Sequence, residues 1–168
     1  MSAVFHVVRH QPGIPPNTGN VIRTTAVAGA TLHLVEPLGF VLDDAHLRRA
    51  GLDYHDLTHV LVHPEFEALM AALTDPPPNL PGHRPTGRVF AFTGRATTHH
   101  TAVPYRPGDA LLLGTEPTGL PDEVLADPRL TALVRIPMVP GARSLNLSNA
   151  AAIALYEAWR QHDFAGGA

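Results

Sequence analysis

The chain has 168 residues, of which 45% are hydrophobic and 16% charged, and a formal charge of −3 at neutral pH. These proportions describe an ordinary globular protein with one core, large enough to bury roughly 70% of its unfolded surface without a disulfide or a metal. The absence of cysteine excludes thiol nucleophiles, disulfide scaffolds and cysteine-bound zinc or iron–sulfur centres. No apolar run reaches the roughly 18 residues of a membrane span, and the N-terminus lacks a basic stretch followed by a long apolar core, so a cytoplasmic protein is expected.

In chain order, the apolar run 3–8 reads as a first buried strand, followed by a loop over 9–17. A helix then begins, with Asn17 or Thr18 able to cap it and Gly29 placed to stop it. Residues 31–37 read as a second strand ended by Pro37, and 43–52 as a short helix with acids at its start and arginines at its end. A third strand over 58–63 leads into a helix over 64–73, and the proline-rich stretch 74–87 reads as a surface loop. Three further apolar strands are predicted at 88–93, 109–115 and 131–138, with a short helix in LPDEVL (120–125) between the last two and a long helix over about 147–163 at the end. Runs apolar throughout, alternating with helices, predict an α/β fold: a mainly parallel sheet with helices on both faces, in one domain spanning 1–168.

In such sheets ligands bind beyond the carboxyl ends of the strands. Three of those ends carry turns rich in small residues and proline: FTGRA after Phe92, GTEPTGLP after Leu113 and IPMVPGARSLNLSN after Arg135. Such turns bring backbone donors and acceptors close to a planar polar ligand such as a nucleoside cofactor, and they also serve as simple tight turns. The sequence has no GxGxxG after a strand, no phosphate loop and no GxSxG elbow, which excludes dinucleotide dehydrogenase, P-loop kinase and α/β-hydrolase readings. The 11 histidines lack metal-ligand spacing and read as solvated or locally satisfied. Asp43 and Asp44 read as helix caps. Arg48 and Arg49 suit either a phosphate backbone or the end of a helix dipole. All 12 basic residues are arginine against 15 acids, so bulk charge does not point to nucleic acid, though a local arginine cluster can grip phosphate.

Four strings, IPPNTGNVIRT (14–24), LHLVEPLGFVLDDAHLRRAGLDY (32–54), LLGTEPTGLP (112–121) and IPMVPGARSLNLSNAAAIALYEAWRQ (136–161), together resemble the SPOUT-class RNA 2′-O-methyltransferases over nearly the whole chain. The resemblance is closest to the small stand-alone enzymes that act on the tRNA wobble nucleotide. It implies a C-terminal trefoil knot over about 88–161 and a homodimer. It implies S-adenosyl-L-methionine as cofactor, held by Phe92, Thr93, Gly114, Glu116, Ile136, Met138, Ser144 and Leu145. The substrate implied is the anticodon stem-loop of tRNA, leucine isoacceptors among them, methylated on the ribose of cytidine or modified uridine 34, without a metal.

The resemblance also implies Arg23 and Asn146 as catalytic residues, and Asn17, Arg143 and Tyr156 as RNA contacts, with Asn17 and Arg23 facing the partner subunit's cofactor. A guanidinium is a poor general base in its usual protonated state, so electrostatic stabilisation of the alkoxide is as defensible a role for Arg23. Other readings stand beside these: Asn17 as a helix cap, Ser144 and Asn146 as a turn before the last helix, and Tyr156 with Trp159 as packing. The chain departs from the family where GPETRG becomes GTEPTG, placing Thr118 where the motif has arginine. A different acceptor nucleotide, in tRNA or rRNA, and a non-catalytic RNA-binding protein on the same scaffold are the alternative functions.

Overall fold

The computed structural model describes residues 4–49, 51–53, 55–57, 59–74 and 87–168. In chain order these form strand β1 (His6–His10), helix α1 (Pro15–Ala28), strand β2 (Thr31–Val35), short helix α2 (Asp44–Arg49), strand β3 (Val60–His63) and helix α3 (Phe66–Thr74). Strands β4 (Val89–Phe92) and β5 (Ala110–Leu113), helix α4 (Asp122–Leu125), strand β6 (Ala132–Val134) and helix α5 (Leu147–Arg160) follow. The strands make one sheet in the order β3-β2-β1-β5-β4-β6 with every pairing parallel. Most of the proline-rich stretch expected as a loop, residues 75–86, lies outside the described residues.

Helices cover both faces, as the uninterrupted apolar strands require. On one face α1 and α5 pack Val21, Ile22, Ala154 and Leu155 against Val7, Leu32, Leu34, Leu111 and Leu113. On the other, α3 and α4 pack Leu69, Met70, Leu73 and Val124 against Val8, Val35, Ala91 and Leu112. Among the described residues no helix is long and apolar enough to cross a membrane.

Two boundaries differ from the sequence reading in ways that matter for the site. Strand β1 runs on through Arg9 and His10, because both neighbours continue to pair with it: Arg9 lies opposite Leu34 of β2 and Leu113 of β5. Helix α1 starts at Pro15, with Ile14 in the capping position and no side-chain cap. Proline suits this first turn, where its missing N–H has no intrahelical partner to lose. Asn17 is therefore not the cap; it sits inside the helix, 6% exposed, and Gly29 ends the helix in the left-handed conformation as expected. Asp43 does cap, its Oδ1 accepting the His46 N–H at 2.8 Å.

Three histidines distant in sequence meet under α3. His6 Nδ1 lies 3.0 Å from His33 Nε2, and His33 Nδ1 lies 2.9 Å from His63 Nε2. Each contact needs one ring to donate and the other to accept, so the three imidazoles are linked through a run of matched tautomers. These histidines were expected to be solvated or satisfied locally; the structure instead joins them across β1, β2 and β3.

Candidate active site

After β1 the chain turns onto the α1 face, and after the adjacent β5 it turns onto the α4 face. Loops that part in this way open a crevice beyond the strand ends. The crevice here has two components, a cavity and a chain of buried polar groups.

The cavity, of about 340 Å³ and open to solvent on one side, is lined by the three turns singled out in the sequence. Phe92, Thr93 and Arg95 come from the turn after β4, Gly114 and Thr118 from the turn after β5, and Arg135, Ile136, Met138, Ser144 and Leu145 from the segment after β6. Leu113, Leu147 and Ala150 add apolar surface. The turn after β5 is tight: Thr115 and Gly119 pair across it, and a Cβ on Gly114 would come within 2.4 Å of the Gly119 carbonyl carbon and the Leu120 nitrogen. A side chain at 114 would thus force the turn apart. Arg135 accepts the His100 N–H on its carbonyl oxygen at 2.8 Å and donates its own N–H to Thr98 at 2.9 Å. The chain leaving β6 is thereby stitched to the connection between β4 and β5.

The polar chain begins with Arg9, which is fully buried, and its Nη2 donates to Glu116 Oε1 at 2.5 Å. Asn17 Nδ2 also donates to Glu116 Oε1, at 3.2 Å, and the Gly13 N–H donates to Oε2 at 3.1 Å. Asn146 Nδ2 donates to Asn17 Oδ1 at 2.9 Å. Asn146 Oδ1 then accepts from the Ser148 and Asn149 N–H groups, at 2.9 and 3.3 Å, and from the Ser148 hydroxyl, capping α5. Burial alone would raise the Glu116 carboxyl, but the backbone donors and Arg9 hold it below the usual carboxylate range. Burial likewise lowers Arg9, against the pull of Glu116.

Of the eight residues that the resemblance assigns to the cofactor, seven line the cavity. Glu116 does not; its carboxylate turns toward Arg9, Gly13 and Asn17. Asn17 and Asn146 meet within one chain. Arg23 stands apart, half-exposed on α1, where its guanidinium donates to the Gly51 carbonyl and lies 3.8 Å from Asp56. Six residues after Asn17, it points to a face of α1 about 120° away, by the 3.6-residue turn. Arg143 is exposed in the segment before α5, and Arg48 and Arg49 are exposed at the end of α2. Tyr156 meets Trp159 edge-to-face at 5.5 Å and Phe164 at 6.5 Å, the packing role expected of it. Sequence reasoning missed Arg9, whose one visible signal is a charge inside the apolar run HVVRH, and Arg135, hidden in a strand reading that ran past β6.

Comparison with known proteins places this geometry in context. Residues 4–156 match the model of the SpoU rRNA Methylase family. The chain is 48% identical over 163 residues to a tRNA (cytidine(34)-2′-O)-methyltransferase of Methylovorus glucosotrophus, covering 97% of this chain and 99% of the relative. A solved structure described as giving insights into the 2-OH methylation of C/U34 on tRNA superposes with a TM-score of 0.82 at 44% identity, covering 97% and 99% of the two chains. The SpoU methyltransferase AviRb of Streptomyces viridochromogenes, in complex with the cofactor AdoMet, superposes with a TM-score of 0.73 at 25% identity, covering 97% of this chain and 62% of the other.

Proposed function

This chain belongs to the SpoU rRNA Methylase family, and on that premise we propose that it transfers the methyl group of S-adenosyl-L-methionine to the ribose 2′-hydroxyl of the wobble nucleotide of tRNA. The acceptor is cytidine or modified uridine 34, in leucine isoacceptors among others, presented by the anticodon stem-loop in the cytoplasm. The observation that carries the reading is the cavity made by the turns after β4, β5 and β6, beside the Glu116–Asn17–Asn146 chain. Its volume and mixed lining suit a nucleoside: Leu113, Ile136 and Leu147 offer apolar surface to a base, while Thr93, Ser144 and the turn backbones offer polar edges.

When bound there, the cofactor supplies an electrophilic methyl group on a sulfonium. The chain's own residues have four tasks. The cavity excludes water and fixes the direction of approach; orientation of this kind can supply roughly 7 to 11 kcal/mol of barrier lowering. Asn146, clamped by Asn17 and by the first turn of α5, has a second amide N–H beyond the one given to Asn17, a donor for the ribose or the developing alkoxide. Arg23 stabilises that alkoxide as a cation rather than taking its proton, which passes to solvent at the cavity's open side as the O–methyl bond forms. Arg143 contacts RNA phosphate from the cavity's outer segment.

The molecule works as a homodimer, with Arg23 of one chain beside the cavity of the other and Tyr156 packed at the interface between them. Supporting this are the exposed apolar residues Val27 and Ile153 on α1 and α5, with Tyr156 and Phe164 beside them, and the absence of Arg23 from the cavity of its own chain. The chain leaving β6 threads the 93–109 connection as a trefoil knot, a reading supported by the Arg135 backbone bonds.

Incubation with methyl-labelled S-adenosyl-L-methionine and total tRNA from cells lacking the protein, followed by mass-spectrometric mapping, tests the reading. Label on the 2′-oxygen of nucleotide 34 is expected. Label elsewhere would move the acceptor, and bound cofactor with no label on any RNA would leave a non-catalytic binding protein.

A further inference from the structure

Among the described residues the Glu116 carboxylate accepts hydrogen bonds from Arg9, Gly13 and Asn17, and the charged partner, Arg9, comes from the core of the sheet. We infer that Arg9 is a positioning residue for the methyl transfer proposed above: paired with Glu116, it fixes the acceptor that orients the side-chain amides of Asn17 and Asn146. The inference rests on that functional reading.

Three observations carry it. First, Arg9 is fully exposed to the cost of burial with little return in hydrogen bonds, since among the described residues its Nε and Nη1 find no acceptor and Nη2 bonds to Glu116 alone. A buried guanidinium of this kind is weak as a stability device, because desolvation of both charges offsets their attraction. Second, the charge it neutralises sets a direction. An ionised carboxylate can only accept, so Asn17 must turn Nδ2 toward Glu116 and Oδ1 away. Asn146 must then turn Nδ2 toward Asn17, which leaves its Oδ1 for the N–H groups that begin α5. Protonation of Glu116 would put a donor against the Asn17 amide and permit either amide to flip. Third, among the described residues Arg9 is the cation that acts on the Glu116 carboxylate. The 11–14 loop presents the Gly13 N–H, α1 presents Asn17, α5 reaches the carboxylate through Asn146, and the 114–119 turn carries Thr118 where the related motif has arginine.

The test combines Arg9→Met, Arg9→Lys, Glu116→Gln and the charge-free double variant Arg9→Met/Glu116→Gln, assayed by single-turnover methyl transfer to tRNA from about pH 6 to 9. Arg9→Met is expected to lower the rate at neutral pH on the order of 10-fold to 100-fold. The loss should come with little change in KM for the cofactor, and Arg9→Lys should restore most of the rate. Because Arg9 acts only through Glu116, the double variant should be no slower than Glu116→Gln. It leaves no unpaired buried charge, so it reports even where Arg9→Met fails to fold. A wild-type rate in Arg9→Met at every pH would overturn the inference, as would a further 10-fold loss in the double variant over Glu116→Gln. If the unmodified protein itself transfers no methyl, the functional reading fails instead. The side-chain amide resonances of Asn17 and Asn146 then decide on Arg9 without substrate: in Arg9→Met they should shift and broaden as the amides lose a single orientation, and resonances unchanged from the wild type would overturn the inference.

Discussion

The cavity beyond β4, β5 and β6 and the exposed face of α1 differ in what they offer the proposed reaction. The cavity has apolar surface, tight turns and an oriented amide at its edge, but the arginine best suited to the alkoxide is not in it. The α1 face carries Arg23, held by the Gly51 carbonyl and near Asp56, on the same helix as a separate recess of about 330 Å³ lined by Pro15, Ile22, Phe40, Leu47 and Leu52 rather than by the three turns. On the proposed reading the cavity, whose own cations are Arg95 and Arg135, holds the methyl donor, and Arg23 of a second copy meets the charge that transfer creates. That proposal predicts that damage to the two halves will have different signatures.

The largest effect is expected at Arg23. Arg23→Ala should lower kcat by about 10²- to 10³-fold, the usual loss when one oxyanion-stabilising donor is removed. Calorimetry should find cofactor affinity unchanged and sedimentation should find the dimer intact; wild-type turnover would remove Arg23 from the mechanism. Damage to the other half should look different. Gly114→Ala drives a Cβ against the Gly119 and Leu120 backbone. It is expected to cost about 2 to 3 kcal/mol of stability in denaturant titration and to weaken cofactor binding. Third, Tyr156→Asp places a charge among Trp159, Phe164 and the apolar α1–α5 surface. Sedimentation should show a shift toward monomer, and methyl transfer should fall with dimer content, recovering at high protein concentration.

The smallest effect separates a structural group near the cavity from the reactive ones. Burial holds His100 below the usual histidine range, although the Arg135 backbone and Glu157 pull it upward. The unfolded chain takes up a proton below about pH 6.5 that the folded chain refuses, so stability falls as pH drops from there toward the depressed folded value. His100→Phe, which keeps a ring beside Phe92, should flatten this acid limb of the stability profile while leaving kcat near that of the wild type.

Much of the architecture was legible in the sequence because parallel strands buried on both faces read as unbroken apolar runs. The three turns of the cavity were legible too, since glycine, proline and serine mark them directly. The polar chain was not. Arg9 lies 107 residues from Glu116, and an apolar-run criterion ends the first strand one residue short of it. Asn17 has the residue type of a helix cap, yet Pro15 begins the helix one turn earlier and frees that amide for Glu116. The buried histidines follow the same rule: separations of 27 and 30 residues carry no local pattern, and only the register of β1, β2 and β3 brings them together.

Subunit mixing tests the division of the site most directly. Arg23→Ala is denatured and refolded with an equal amount of Leu145→Trp, which fills the cavity from its outer segment, and methyl transfer by the mixture is compared with that of each variant alone. Half of the dimers formed at random are mixed, and each of these pairs one intact Arg23 with one intact cavity, so about a quarter of wild-type activity should return. A mixture no more active than its two inactive parents would place Arg23 and the cavity it serves in the same chain.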